Sequence, residues 1–410
     1  MVREYKDSGI TWIGSIPKEW KTERIKALFS ERNERDCQGK TLLSVSQYFG
    51  IRPKSETDLA DSHIAESYDD YKEVRKGDFV MNIMLAWNGS YAVSDYDGIV
   101  SPAYCVFKFR KDCCKKYFHY LLRTDGYPSA FKTMSRGVID SRLRLYPEQF
   151  YTFPVIIPSV DEQQRIADYL DKKCAEIDGL IELQEQMIAQ LTDYKQSVIN
   201  EAVTKGLDAN AHLVSSGIDW IGDYPSHWDI IKIGFIFDNL DYLREPISAE
   251  LRERNNPQYD YYGASGVIDK IDHYNVDDKV LLIGEDGANL VMRNLPLIYK
   301  AEGKFWVNNH AHILRPKKDD YDYLAHALEA ANYRNYITGS AQPKLSQENL
   351  QAVKLPIPPL SEQQAIAAYL DKKCSEIDDL IAMKQQKIET LKEYKKSLIF
   401  EYVTGKKEID

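Results

Sequence analysis

Arg142 and Arg144 flank Leu143, and Gln342 and Lys344 repeat that spacing 200 positions later. These residue types point to recognition. Arginine pairs bidentately with guanine, and Asn or Gln with adenine, along the major groove. Side chains of the same kind stand in neighbouring loops, giving a candidate DNA-binding set of Asn88, Ser90, Arg136, Arg142 and Arg144 in the first half and Ser265, Asn289, Asn308, His310, Gln342 and Lys344 in the second. Catalytic chemistry has far less to stand on. The chain has no Gly-x-x-x-x-Gly-Lys-[Ser/Thr] phosphate loop, no Gly-x-Gly-x-x-Gly after a strand and no Asn/Asp-Pro-Pro-[Phe/Tyr] stretch. Glu285-Asp286 lacks the spaced acid and lysine that metal-assisted cleavage needs. Alternation in Asn308-Asn-His310-Ala-His312 predicts both histidines on one strand face, but a pair of histidines more often hydrogen-bonds than holds a metal. The expectation is no catalytic residue and no metal.

The elements that must position these loops come twice. Residues 161–178 return at 361–378 with 14 of 18 positions identical. Each copy continues into a heptad seam: Leu170, Cys174, Ile177, Ile181, Gln184, Ile188, Leu191, Lys195, Val198, Ala202 in the first, and Leu370, Cys374, Ile377, Ile381, Lys384, Ile388, Leu391, Lys395, Leu398, Tyr402 in the second. Alternating steps of four and three are the a/d pattern of a coiled coil. The apolar members, Leu170, Ile177, Ile181, Ile188, Leu191, Leu370, Ile377, Ile381, Ile388 and Leu391, form the predicted interface. Both seams are interrupted by polar residues at the same two places, which favours mutual packing and a set register. Ser361-x-x-Gln364 reads as a capping box, and Gly206 and Gly405 as stop signals.

A second motif opens each half: Ser8-Gly-Ile-Thr-Trp12-Ile-Gly14…Pro17…Trp20 returns as Ser216-Gly-Ile-Asp-Trp220-Ile-Gly222…Pro225…Trp228. The tryptophans are read as anchors of each domain on its helix. The second copy follows directly after the first long helix, so the N-terminus is expected beside the end of the second, as in a circle cut once. Between motif and helix lie dissimilar blocks with similar punctuation. Residues 77–83 and 278–283 predict buried strands. Residues 100–107 and 307–314 predict a second strand pair, and 115–122 and 321–331 predict helices. A glycine-bearing loop closes each block. The expected fold is α+β: two small α/β domains joined by two long antiparallel helices in a coiled coil, with pseudo-twofold symmetry. The boundaries are 1–160, 161–205, 206–360 and 361–410.

The net charge of −10 argues against a uniformly basic nucleic-acid binder, yet residues 108–144 hold 10 Lys and Arg against 3 Asp and Glu. Residues 293–354 hold only 9 against 6, so the second block is weakly basic. Phosphate contact requires local positive potential, not a basic whole. No run of 18 apolar residues occurs, the N-terminal residues lack a signal-like apolar core, and the six cysteines form no Cys-x-x-Cys pair; a reducing cytoplasm is expected.

Two dissimilar blocks, each followed by a long helix opening Glu-Gln-Gln-x-Ile-Ala, together with Ser-Gly-Ile-x-Trp-Ile-Gly, resemble the specificity subunit of type I restriction–modification enzymes. The resemblance spans essentially the whole chain. It implies two target recognition domains, each reading one half of a bipartite, asymmetric DNA target, with helices that set the spacer and dock two methyltransferase subunits. It also implies restriction–translocase partners. S-adenosylmethionine, ATP and Mg are expected on those partners and no cofactor in this chain. The alternative from another class is a coiled-coil protein-interaction adaptor without DNA specificity. A nuclease is a third reading.

Overall fold

A computed structural model describes residues 3–35, 40–57, 68–137, 139, 142–252, 258–339 and 343–409. The chain forms two compact units, 1–184 with 386–410, and 185–385. Both long helices, Val160–Lys205 and Leu360–Val403, pass through the boundary, so each unit contains one half of each helix.

In the first unit the sheet has four antiparallel strands in the order Phe29–Arg32, Tyr104–Phe109, Phe79–Asn82, Tyr91–Val93. All four residues of Phe79–Asn82 are buried, as expected of a strand covered on both faces. Its core is aromatic: Phe79 stacks on Phe150 with ring centroids 5.6 Å apart, and Phe29 and Phe107 complete the cluster. In the second unit the equivalent strands are Phe237–Asn239, Ala311–Pro316, Val276–Gly284 and Ile298–Val307. A further hairpin, Tyr259–Gly263 with Gly266–Ile271, joins this sheet parallel to Ile298–Val307. Here the core is aliphatic, built on Val280, Leu281, Leu282, Ile283, Ile313 and Leu314.

The predicted helix at 115–122 is observed as Lys115–Leu122, and 321–331 as Tyr321–Ala330. The strand predicted over 100–107 is divided. Gly98–Val100 pairs with Lys72–Val74, and the sheet strand starts only at Tyr104, because Pro102 offers no N–H to a ladder. The strand predicted over 307–314 is divided likewise: Val307 ends one strand, Asn309 and His310 turn, and Ala311 begins the next. His310 and His312 therefore do not share a strand face.

Within each unit the two helix halves run antiparallel along the predicted seam. Leu170, Ile177, Leu370, Ile377 and Ile388 are buried, and Ile181, Ile188, Leu191, Ile381 and Leu391 half-buried. One polar seam position explains itself. Lys395 Nζ lies 2.6 Å from Asp178 in the first unit and Lys195 Nζ 2.7 Å from Asp378 in the second. Exposed pairs of this kind contribute about 0.2–1 kcal/mol, so they select register more than they add stability.

The repeated motifs are joints. Trp20 Nε1 donates to Glu162 at 2.8 Å and Trp228 Nε1 to Glu362 at 2.9 Å, each indole almost wholly buried. The next residue, Gln163 or Gln363, is 1% exposed and donates to the carbonyl of Pro158 or Pro358, while its own carbonyl accepts the N–H of Cys114 or Asp320. Glu-Gln-Gln thus ties the opening motif and the module helix to one rod. The capping box at Ser361 is not formed; the helix starts at Leu360, and the Pro359 carbonyl accepts from Glu362 and Gln363 N–H instead. Gly206 and Gly405 end their helices at positive φ, 75° and 69°. In the first unit Tyr5 Oη donates to the Gly405 carbonyl at 3.0 Å and Lys406 Nζ to that of Ile13 at 2.9 Å. The N-terminus thus sits beside the end of the second helix, as the circular reading requires.

Candidate nucleic-acid interface

Each module gathers its loops at one end of its sheet. In the first unit Leu145 N–H donates to the Ile83 carbonyl at 2.9 Å, which brings the closing loop onto the strand end. That loop is a hairpin: Arg136 and Arg144 exchange both backbone hydrogen bonds at 2.9 Å. Gly137 makes the closure possible. Its φ is 152°, and a Cβ there would stand 2.5 Å from the Arg142 carbonyl oxygen. Arg136 and Arg142 are exposed and Arg144 half-buried, and among the described residues none of the three guanidinium groups is ion-paired. Among the described residues the hairpin therefore presents three arginines without an ion-pair partner. Lys132, just before it, stands 5.0 Å over the Trp87 ring.

Behind the hairpin the side chains are committed to the scaffold. Ser90 is 3% exposed, and its hydroxyl donates to Asn88 Oδ1 at 2.8 Å. Asn88, half-buried, and Ser90 therefore build the turn, and Ser90 presents little to solvent. Arg123, which sequence reasoning missed, donates to the carbonyls of Gly89 and Tyr91 and to that of Gln47, pinning two loops together. Burial lowers its pKa below the ordinary arginine value.

The second unit uses the same topology with different chemistry. Leu345 N–H donates to the Glu285 carbonyl at 2.9 Å, so Glu285 occupies the place of Ile83. Its carboxylate holds Arg244 at 3.1 Å through one oxygen and Lys344 at 3.3 Å through the other. Arg244 also lies 3.5 Å from Asp241, whose carboxylate meets His312 Nδ1 at 2.5 Å. Burial pulls the Asp241 pKa upward, but His312, the Ile313 N–H and Arg244 outweigh it and hold the carboxyl below its ordinary value. His312 Nε2 faces the Leu345 carbonyl at 2.8 Å. Both ring nitrogens thus face oxygen atoms. A ladder of ion pairs runs from Asp241, buried against His312, through Arg244 and Glu285 to half-exposed Lys344.

The remaining residues predicted in this module divide. Ser265 is exposed at the turn of the added hairpin. Asn308 is 6% exposed and accepts the His310 N–H, which makes it a turn-former. Asn289 is occupied in holding the loop at Leu295 and Pro296. His310 is half-exposed, with Nδ1 lying 3.8 Å from Asp286 and lacking a hydrogen-bond partner. Gln342 lies outside the described residues. Sequence reasoning weighs Glu285 only as a cleavage carboxylate and misses Asp241, because their partners are remote; Arg244 is 41 residues from Glu285, and no local pattern joins them.

Two comparisons with known proteins carry weight here. The model of the type I restriction modification DNA specificity domain matches twice, over residues 17–193 and 225–393. The chain belongs to that family. It is a type I specificity subunit with two DNA specificity domains, a DNA-recognition component and not an enzyme, as its sequence implied. Relatives agree. The chain is 24% identical to a putative MjaX specificity subunit of Methanocaldococcus jannaschii across 99% of this chain and 98% of that one. It is 36% identical to a putative specificity subunit of Haemophilus influenzae over 31% of this chain and 32% of that relative. In fold, it matches a chain from a type I restriction–modification system with TM-score 0.69, covering 95% of this specificity subunit and 99% of that chain at 16% identity. It matches the HsdS subunit of Thermoanaerobacter tengcongensis with TM-score 0.50, covering 95% and 98%. These matches exclude the reading as an adaptor without DNA specificity. Among the described residues no helix is long and apolar enough to cross a membrane.

Proposed function

We propose that the two modules read unlike halves of a split, non-palindromic duplex target from the major groove. The helices set the unread spacer and dock two methyltransferase subunits. Restriction–translocase subunits complete the assembly in the cytoplasm, with S-adenosylmethionine, ATP and Mg bound by these partners. The observation that carries this reading is the unlike chemistry at matched places: Ile83 with three arginines that have no ion pair among the described residues in one module, Glu285 with tethered cations in the other. Two readers with different donors and acceptors at the same sheet end select different bases.

The test is methylation of a duplex library by the complex of this chain with its methyltransferase partners. Wild type should select two distinct half-sites at one spacing. Arg142→Ala with Arg144→Ala should erase selection at one half-site, a loss of about 100-fold given ~1–3 kcal/mol per bidentate contact, and leave the other intact. Equal weakening on every sequence would make these arginines phosphate contacts and overturn their role as readers.

A further inference from the structure

Resting on that reading, we propose that Glu285 makes the second module's grip on DNA conditional, holding Arg244 and Lys344 away from phosphates until a base amino group replaces them at its carboxylate.

The argument starts from the geometry. Both Glu285 oxygens are engaged, one by Arg244 and one by Lys344, and the side chain is 18% exposed. Lys344 is half-exposed on the closing strand, and Arg244 reaches the same carboxylate from the loop after Phe237–Asn239. Both cations meet Glu285 just beyond the end of Val276–Gly284, where the closing loop joins the sheet. A phosphate that draws them off leaves a partly buried carboxylate without a partner, which is costly. On non-target DNA that cost opposes binding. A target half-site offering an exocyclic amino group, cytosine N4 or adenine N6, supplies a hydrogen-bond donor to Glu285 and removes the cost. The two cations then become free for the backbone. Specificity thereby arises from a penalty on the wrong sequence as well as a contact with the right one. The buried end of the ladder gives the device a fixed base: Asp241 is held by His312 and the Ile313 N–H, while Arg244, 3.5 Å from that carboxylate, makes its one hydrogen bond to another side chain among the described residues with Glu285. In the first module Ile83 stands where Glu285 does, so no carboxylate occupies that place.

The experiment measures binding of the methyltransferase complex to its target duplex, and to the same duplex with the second half-site scrambled, across a salt series. Glu285→Gln should bind the scrambled duplex about ten-fold tighter than wild type. Its log–log salt slope there should be steeper by about 2, one unit per released cation. Discrimination at the second half-site should fall at least ten-fold, and at the first stay unchanged. With wild type, replacing one second-half cytosine or adenine by an analogue lacking the amino group should weaken binding about ten-fold at a single position, and Glu285→Gln should be indifferent there. Equal weakening on both duplexes with an unchanged slope would overturn the proposal. Should Glu285→Gln not assemble, Arg244→Met with Lys344→Met serves: its affinity for scrambled DNA should match wild type, and a fall overturns the proposal. If wild type does not discriminate the scrambled half-site at all, the DNA reading of this module fails first, whatever Glu285 does.

Discussion

The two recognition modules share a frame and differ in electrostatics. The first closes with a hairpin bearing Arg136, Arg142 and Arg144, none ion-paired among the described residues. The second closes with Lys344, held by Glu285, which also holds Arg244. The same backbone hydrogen bond, Leu145 to Ile83 or Leu345 to Glu285, places both loops. On the proposed reading, the frame sets where a reader sits, and the side chain at position 83 or 285 sets whether the nearby cations are available. The weak local basicity of the second block then accompanies a different means of reading, with Arg244 and Lys344 held by Glu285.

The modules also differ where they meet acid. His119 in the first has its pKa pushed down to about 3, by burial first and then by Arg123. His326 in the second is lowered by burial too, but Asp371, 2.8 Å away, opposes that shift. A histidine with a depressed folded-state pKa is neutral in the fold and takes up a proton on unfolding. Its contribution is intact above the ordinary value of 6.5 and declines as pH falls from there toward about 3. Acidification should therefore unfold the first module before the second, followed as separate phases by proteolysis or hydrogen exchange. His119→Gln should flatten the first phase. Coincident phases in wild type would remove this difference.

The remaining predictions sharpen the contrast in descending order. Gly137→Val should disable the first reader by about 2–3 kcal/mol, because the facing carbonyl leaves no room for a Cβ. Methylation should lose selection at that half-site only; selection kept intact would mean the hairpin geometry is irrelevant. Ile83→Glu should install a tether in the first module, lowering its affinity for scrambled DNA by about three- to ten-fold and flattening its salt slope by about 1. An unchanged slope would show that position 83 does not govern the arginines. Lys195→Ala with Lys395→Ala should cost about 0.4–2 kcal/mol in thermal unfolding, since both pairs are partly exposed. A loss of several kcal/mol would mean these lysines hold the helices together.

The rods were legible in sequence because heptad spacing and a 14-of-18 repeat are local signals. The helices run 46 and 44 residues, with buried positions following the predicted seam. The tryptophan anchors were legible for the same reason. The sites were less so. Arg136, Arg142 and Arg144 are singled out by side-chain type and loop position, and the structure brings them together on one closing hairpin. Ser90, Asn289 and Asn308 carry the same polar types, but burial and internal hydrogen bonds occupy them, and composition cannot distinguish a presented amide from a spent one. The Asp241–Arg244–Glu285–Lys344 ladder unites three distant loops, and only the folded sheet brings them together.

The most direct measurement is the salt slope of each half-site taken separately, with the methyltransferase complex on duplexes in which one or the other half is scrambled. Retaining only the first half-site should give a slope steeper by about 2 than retaining only the second, reflecting arginines without ion pairs among the described residues in one module and tethered cations in the other. Equal slopes, or a steeper slope for the second half-site, would contradict the account.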